Sequence, residues 1–177
     1  NKVALVTGSA KGIGRAIVEK LASEGYDVVI NYLSSSELAF KLKNEIIDKY
    51  AVKCLAIKCD VSKVDEVDFM FDNVEKELGN VSVLVNNAAV DYANLFNLKT
   101  SEEFLRLLDI NVVGYFNTFK RAYKKMLEQE YGRVVNISST NGINTYYPMS
   151  IDYDASKAAV ISLTHNMAMQ GAPFIHV

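Results

Sequence analysis

Short apolar runs recur along the chain, each followed by a longer stretch in which apolar side chains return every three or four positions. Val3-Ala4-Leu5-Val6, Val28-Val29-Ile30, Leu55-Ala56-Ile57, Val81-Ser82-Val83-Leu84-Val85 and Val134-Val135-Asn136-Ile137 predict strands. Most are apolar on both faces, as strands of a parallel sheet are when helices cover both sides. Between them, Ile13, Ile17 and Leu21 predict a helix ended by Gly25, and Val64, Val67, Phe71, Val74 and Leu78 predict another. Ser62 is the expected N-cap of that second helix, with Asp65 three positions on. Thr100 and Glu103 give a similar start signal for the segment carrying Phe104, Leu107 and Leu108. Strand alternating with helix predicts right-handed βαβ units: a doubly wound parallel sheet in three layers, with helices on both faces. No internal repeat and no linker interrupts the pattern, so residues 1–177 are expected to form one domain.

Composition narrows the picture without changing it. Half of the 177 residues are hydrophobic, which excludes disordered and low-complexity classes. The 19 basic and 21 acidic side chains leave a net charge of −2, which gives no electrostatic footprint for nucleic acid. No apolar run approaches the roughly 18–20 residues a membrane span needs. Cys54 and Cys59, with His165 and His176, supply neither a disulfide framework nor a metal site. The expectation is a protein of the reducing cytoplasm that uses no metal and touches no membrane.

In doubly wound sheets ligands bind beyond the carboxyl ends of the strands, where strand order reverses. The residues just after the predicted strands therefore carry the candidate chemistry. After the first comes Thr7-Gly8-Ser9-Ala10-Lys11-Gly12-Ile13-Gly14, running into a helix. Glycines let the backbone turn and approach a pyrophosphate, and the helix N-terminus supplies amide donors and a positive dipole end. A glycine-rich turn alone could be an ordinary strand–helix connection, but this one stands in the strand–turn–helix context that the motif requires. Asp60-Val61 follows the third strand, Asn86-Asn87-Ala88-Ala89 the fourth, and Ser138-Ser139-Thr140-Asn141-Gly142 the fifth. Tyr153 and Lys157 lie four apart on one face of a predicted helix, and Asn111 lies in the helical segment after the fourth strand. Each of these residues alone has an ordinary reading as a surface lysine, core tyrosine, loop serine or helix asparagine.

Together and in this order they resemble the landmarks of the short-chain dehydrogenase/reductase family: T-G-x3-G-x-G, D-V, N-N-A-G, the lone asparagine, S-S-x-x-G and Y-x-x-x-K. The likeness spans essentially the whole chain and implies a Rossmann fold and carbonyl–alcohol redox chemistry with a nicotinamide cofactor. It implies that Tyr153 is the proton donor to a carbonyl oxygen, with Ser139 polarising that oxygen and Lys157 holding the phenol and a ribose. It implies too that Asn111 binds a water linking Lys157 to solvent. A free phenol ionises near about 10, so a neighbouring ammonium and the helix N-terminus are needed for such a role at neutral pH. Ser138 is expected to satisfy backbone groups in its turn, and Tyr146 and Tyr147 to line the substrate pocket or cover it.

The cofactor is expected to contact Gly8, Ser9, Lys11, Gly12, Ile13, Gly14, Asn31, Tyr32, Asp60, Val61, Asn87, Ala88 and Ala89, besides Tyr153 and Lys157. An acidic residue ending the second strand would repel a 2′-phosphate. Asn31-Tyr32-Leu33 stands there, and Lys11 offers a cation, so NADPH is favoured over NAD. Ala89 stands where the family motif has glycine. Either that position needs positive φ, at a cost of about 1 kcal/mol or more, or its methyl merely narrows the pocket.

Within the family the chain looks most like bacterial 3-oxoacyl-[acyl-carrier-protein] reductases. This implies reduction of a 3-oxoacyl thioester to the (3R)-hydroxyacyl form in fatty acid biosynthesis. Those enzymes place basic residues before the fifth strand to meet an acidic carrier protein, whereas Glu128-Gln129-Glu130-Tyr131 stands here, after Lys124 and Lys125. Acyl carrier protein is thus one candidate partner, and a sugar, polyol, steroid or small ketone is the alternative substrate. A non-catalytic NADP-binding sensor is the remote reading, because it needs no serine–tyrosine–lysine–asparagine set. The family implies a homotetramer or homodimer. Pro173–Val177 is expected to begin a sixth strand, and family members continue beyond it with a substrate-binding segment; the 177 residues are therefore expected to be the ordered part of something longer.

Overall fold

The apolar runs become β1 (Val3–Val6), β2 (Asp27–Tyr32), β3 (Cys54–Lys58), β4 (Val81–Asn86) and β5 (Gly132–Asn136), and the chain ends in the short β6 (Ile175–His176). In the computed structural model, which describes residues 1–177, they form one six-stranded sheet in the order β3-β2-β1-β4-β5-β6. Every pairing is parallel. The chain moves outward from β1 to β3 and then returns to place β4 against the other side of β1, so strand order reverses between β1 and β4. A cleft opens at their carboxyl ends for that reason.

The connections are α1 (Gly12–Ser23), α2 (Ser36–Tyr50), α3 (Val64–Glu77), α4 (Ser101–Leu108), α5 (Gly114–Glu128) and α6 (Ile151–Gly171). Alternate residues of β1 feed two separate cores. Ala4 and Val6 pack with Val18 of α1 and Leu42 and Ile46 of α2. Val3 and Leu5 pack with Met70 and Phe71 of α3, Met126 of α5 and Met167 of α6. Burying both faces of a strand is what its continuous apolar run encodes.

Three local expectations change. The fully buried residues of α1 are Gly14, Val18 and Ala22; Ile17 and Leu21 pack half-buried against the same core, but Ile13 is 66% exposed. Small residues let α1 lie close on the sheet, which turns Ile13 toward the cleft. Ser62 does not cap α3, whose N-cap is Lys63 without a side-chain bond. Its N–H and hydroxyl instead donate to Asp60 Oδ1 at 3.0 and 2.7 Å, so the aspartate turn captures it first. Val64, expected on the buried face of α3, is exposed. The Thr100–Glu103 signal forms as read, a reciprocal capping box opening α4. No helix is long and apolar enough to cross a membrane.

Candidate active site

At Gly8 and Gly14 the glycine loop is held by contacts that leave no room for a side chain. Gly8 holds φ +62, a left-handed conformation, and a Cβ there would sit 2.9 Å from Ala88 Cα. A Cβ on Gly14 would lie 2.6 Å from Asn87 Nδ2 and 2.7 Å from Gly8 O. Asn87 closes the cradle from β4, donating through Nδ2 to Thr7 O at 2.9 Å and Gly8 O at 3.1 Å. Thr7 Oγ1 accepts from the backbone N–H groups of Asn87 and Ala88 at 2.9 and 3.0 Å. Asn31 fastens the loop from β2: its Oδ1 accepts from Gly8 N at 3.0 Å, and its Nδ2 donates to Cys59 O at 3.0 Å.

A cavity of about 470 Å³ lies over this loop. Of the expected cofactor residues, Gly8, Lys11, Gly12, Ile13, Asn31, Tyr32, Asp60, Val61, Asn87, Ala88 and Ala89 line it, joined by Ser34 and Ser35 before α2. Ser9 and Gly14 stand behind the wall. Ser9 is fully buried, and its hydroxyl donates to Val6 O at 2.7 Å. Ala89 is absent from the residues with positive φ, so its backbone is ordinary and the strain alternative falls away. Asp60 is partly engaged already. Burial works to raise its pKa, but hydrogen bonds from Ser62 and Arg106 hold the carboxyl below the usual range. Arg106 Nη2 of α4 reaches Asp60 Oδ2 at 2.7 Å, a contact not foreseen from the sequence. A cradle that a Cβ would fill, the N-terminus of α1 and a cavity over the carboxyl ends of β1 to β4 fit a nicotinamide dinucleotide.

The expected reacting residues gather around α6. Tyr153 is half-buried in its first turn, and Lys157, one turn on, is only 1% exposed. Lys157 Nζ donates to Ile137 O at 2.7 Å and to Tyr115 Oη at 3.5 Å. It lies 5.6 Å from the centroid of the Tyr153 ring and 5.5 Å from that of Tyr115. Burial pushes the Lys157 ammonium down to about 8. Ser139 caps a short 3₁₀ turn, its Oγ accepting from Asn141 N at 3.2 Å. Ser138 acts as expected but over a longer reach, donating to Lys157 O at 2.8 Å. A Cβ on Gly142 would lie 2.6 Å from Lys157 C and 2.7 Å from Lys157 O, so the serine turn rests backbone-to-backbone on α6.

Asn111 is fully buried in a π-helical turn, Asp109–Val113, where Gly114 N donates to Asp109 O. Its side chain accepts from Val90 N at 2.8 Å and donates to Val90 O at 2.9 Å and Ser156 Oγ at 3.1 Å. The amide is thus spent on holding the segment after β4 against α6. The widened turn shifts the helical ladder by one position, and such turns leave a backbone carbonyl without its usual donor.

Two further links escaped the sequence reading. Lys99 forms a buried ion pair with Asp152 at 2.9 Å, the two side chains 5% and 0% exposed, and its ammonium also donates to Tyr92 O. Asp152 Oδ1 accepts from Tyr153 N at 3.0 Å, so the pair ties the segment after β4 to the start of α6. Asn141 Nδ2 donates to Asp154 Oδ1 at 2.7 Å. The one available signal was a charged residue on either side of Tyr153 in a helix start. Tyr146 and Tyr147 are exposed, on a second cavity of about 560 Å³ beside Asn141, Gly142 and Asp154.

Comparison with known proteins agrees with this geometry. The family model described as short chain dehydrogenase matches residues 2–177. A 3-oxoacyl-[acyl-carrier-protein] reductase of Staphylococcus epidermidis is 40% identical over 170 residues, covering 96% of this chain and 69% of its own length. A solved NAD+-bound xylitol dehydrogenase superposes with TM-score 0.93 at 33% identity, over 99% of this chain and 67% of that one. A gluconate 5-dehydrogenase from Burkholderia cenocepacia, solved with NADP and tartrate, gives TM-score 0.90 at 28% identity over 99% and 68%. The cleft, the glycine cradle and these matches define an NAD(P)-dependent oxidoreductase. The chain belongs to the short-chain dehydrogenase family.

Proposed function

We propose that the protein is an NADPH-dependent carbonyl reductase whose substrate is a 3-oxoacyl thioester. The observation that carries the redox assignment is the buried Lys157 ammonium one helical turn from Tyr153, with no carboxylate paired to it. An unneutralised cation in a desolvated site stabilises the negative charge that develops beside it as a phenol gives up its proton. A bound dihydronicotinamide supplies the hydride. Tyr153 gives its proton to the substrate oxygen, and Ser139 donates a hydrogen bond to that oxygen as negative charge develops. Lys157 stabilises the developing phenolate through its charge and offers a ribose hydroxyl the donor left free by Ile137 O and Tyr115 Oη. Asn111 keeps Val90 and Ser156 in register, and the wide turn around it holds the water that passes protons to solvent. Lys11, with the Ser34 and Ser35 hydroxyls at the start of α2, faces a 2′-phosphate.

The thioester assignment rests on the likeness to acyl-carrier-protein reductases. One observation favours a second reading, a polyol or sugar substrate. Lys125 and Lys124 share Glu128 at 3.0 and 3.9 Å, and with Glu130 the stretch before β5, where an acidic carrier would dock, has no net charge.

The deciding experiment follows NADPH oxidation with acetoacetyl thioester, beside NADH and a Tyr153→Phe control. Turnover lost by about 1,000-fold in the control and slower with NADH supports both the acid assignment and the Lys11 argument. Tight NADPH binding without turnover of the thioester sinks that substrate and moves the search to polyols.

A further inference from the structure

Behind Lys157 lies a residue that the proposed reaction does not use. Tyr115 projects from the first turn of α5 and is 1% exposed. Its hydroxyl donates to Ile137 O at 3.2 Å, the same carbonyl that accepts from Lys157 Nζ, and it accepts from that ammonium at 3.5 Å. The ammonium thus sits between two tyrosine rings at nearly equal distance, Tyr153 on its own helix and Tyr115 from α5. We propose that Tyr115 is a positioning residue for Lys157, a neutral seat that holds the ammonium toward Tyr153 and keeps it charged; the proposal rests on the carbonyl-reductase reading above.

The argument turns on what surrounds the ammonium. From α5 it faces Tyr115, and from α6 it faces Tyr153. The end of β5 offers only the Ile137 carbonyl. Asn111 in the wide turn is neutral and points to Val90 and Ser156, while Ser138 binds the Lys157 carbonyl rather than its ammonium. No carboxylate or second cation shifts it; burial alone does. An ammonium has three donors: Ile137 O and Tyr115 Oη take two, and the third stays free for the reaction. A carboxylate in the place of Tyr115 would seat the lysine more strongly but would cancel the positive field at Tyr153. Burial raises the Tyr115 pKa, with the Tyr153 charge adding to it, so its phenol stays neutral where Lys157 works. A neutral hydroxyl and an aromatic face stabilise the cation without neutralising it.

Two variants separate seating from packing. Tyr115→Phe keeps the ring and removes the hydroxyl, leaving no room for a replacement. Tyr115→Val opens space in which water can solvate the ammonium. Lys157 is titrated in the cofactor-free protein by NMR of its ε carbon, assigned by difference from Lys157→Met, and the pH dependence of kcat is measured where turnover is found. In Tyr115→Phe the Lys157 titration is expected to move down by roughly half to one pH unit. The kcat for reduction at pH 8 should fall roughly three- to tenfold, with the KM of the carbonyl substrate unchanged. In Tyr115→Val both return toward native although the protein melts at a lower temperature. A merely structural tyrosine gives the reverse ranking, with activity following melting temperature and the Lys157 titration unmoved in both variants. That result, or failure of the isosteric phenylalanine variant to fold, overturns the proposal. If the native protein turns over no carbonyl or alcohol, the reductase reading fails on its own, while the titration still decides the seat.

Discussion

At the dinucleotide end of the cleft, the polar groups left by the ends of β1, β2 and β4 satisfy one another. Asn31 bridges Gly8 and Cys59, Ser9 returns its hydroxyl to Val6, and Asn87 and Thr7 exchange bonds across the switch point. At the other end, Lys157 has been taken out of water without a counter-ion and makes do with a carbonyl and a phenol. The first end is complete before any ligand arrives. The second carries an unbalanced charge, which the proposed reaction would use. Stability and activity pull in the same direction in the cradle and in opposite directions beside α6.

The sharpest way to break this contrast is to unbalance the one buried pair at the reacting end. Lys99→Leu leaves Asp152 charged and unpaired in the interior, and is expected to cost roughly 3–5 kcal/mol in denaturant unfolding. Replacing both partners by leucine should recover much of that loss. If the single variant loses under 1 kcal/mol, the idea that this pair anchors the segment after β4 is wrong.

Next in size, Lys157→Met should abolish turnover and stabilise the free protein. A lysine held at about 8 instead of 10.5 carries a burial penalty of about 3 kcal/mol while both folded and unfolded forms are protonated. Below pH 8 the penalty is complete. Between 8 and 10.5 the folded form sheds its proton before the unfolded chain does, so native stability rises with pH. Above 10.5 nothing of the penalty is left. The advantage of the methionine variant in urea melts should therefore be full at pH 7 and gone by pH 10.5; an advantage constant with pH would assign it to packing.

The smallest effect tests the other end. Lys11→Ala removes an exposed loop cation facing the cavity and should weaken NADPH roughly tenfold, one contact's share of affinity. NADH binding and the melting temperature should not change. Equal weakening of both dinucleotides would place Lys11 on the pyrophosphate instead.

The same contrast explains what the sequence disclosed. Strand positions, helix order and the glycine loop were legible because their causes are local: an apolar run, a capping box, a backbone that tolerates no Cβ. Tyr153, Lys157, Ser139 and Asn111 were singled out through the family's motifs, and the fold brings their elements together. The wiring among them was not legible. Lys99 meets Asp152 across 53 positions and Tyr115 meets Lys157 across 42, distances at which no local pattern speaks. Ser62 was misassigned because two short-range options, capping α3 or binding Asp60, compete at one residue. Ile13 was misread because periodicity marks an apolar side chain without saying whether protein or ligand will cover it.

Gly142 carries a consequence for how such an enzyme changes over generations. With no side chain at Gly142 between the serine turn and the Lys157 backbone, and with Ser138 and Asn141 bonded to α6, the turn that carries Ser139 is seated directly on that helix. Immediately beyond it, Ile143, Tyr146 and Tyr147 are exposed. On the proposed function, substitutions in that stretch would retune which carbonyl compound fits while leaving the serine turn in place on α6.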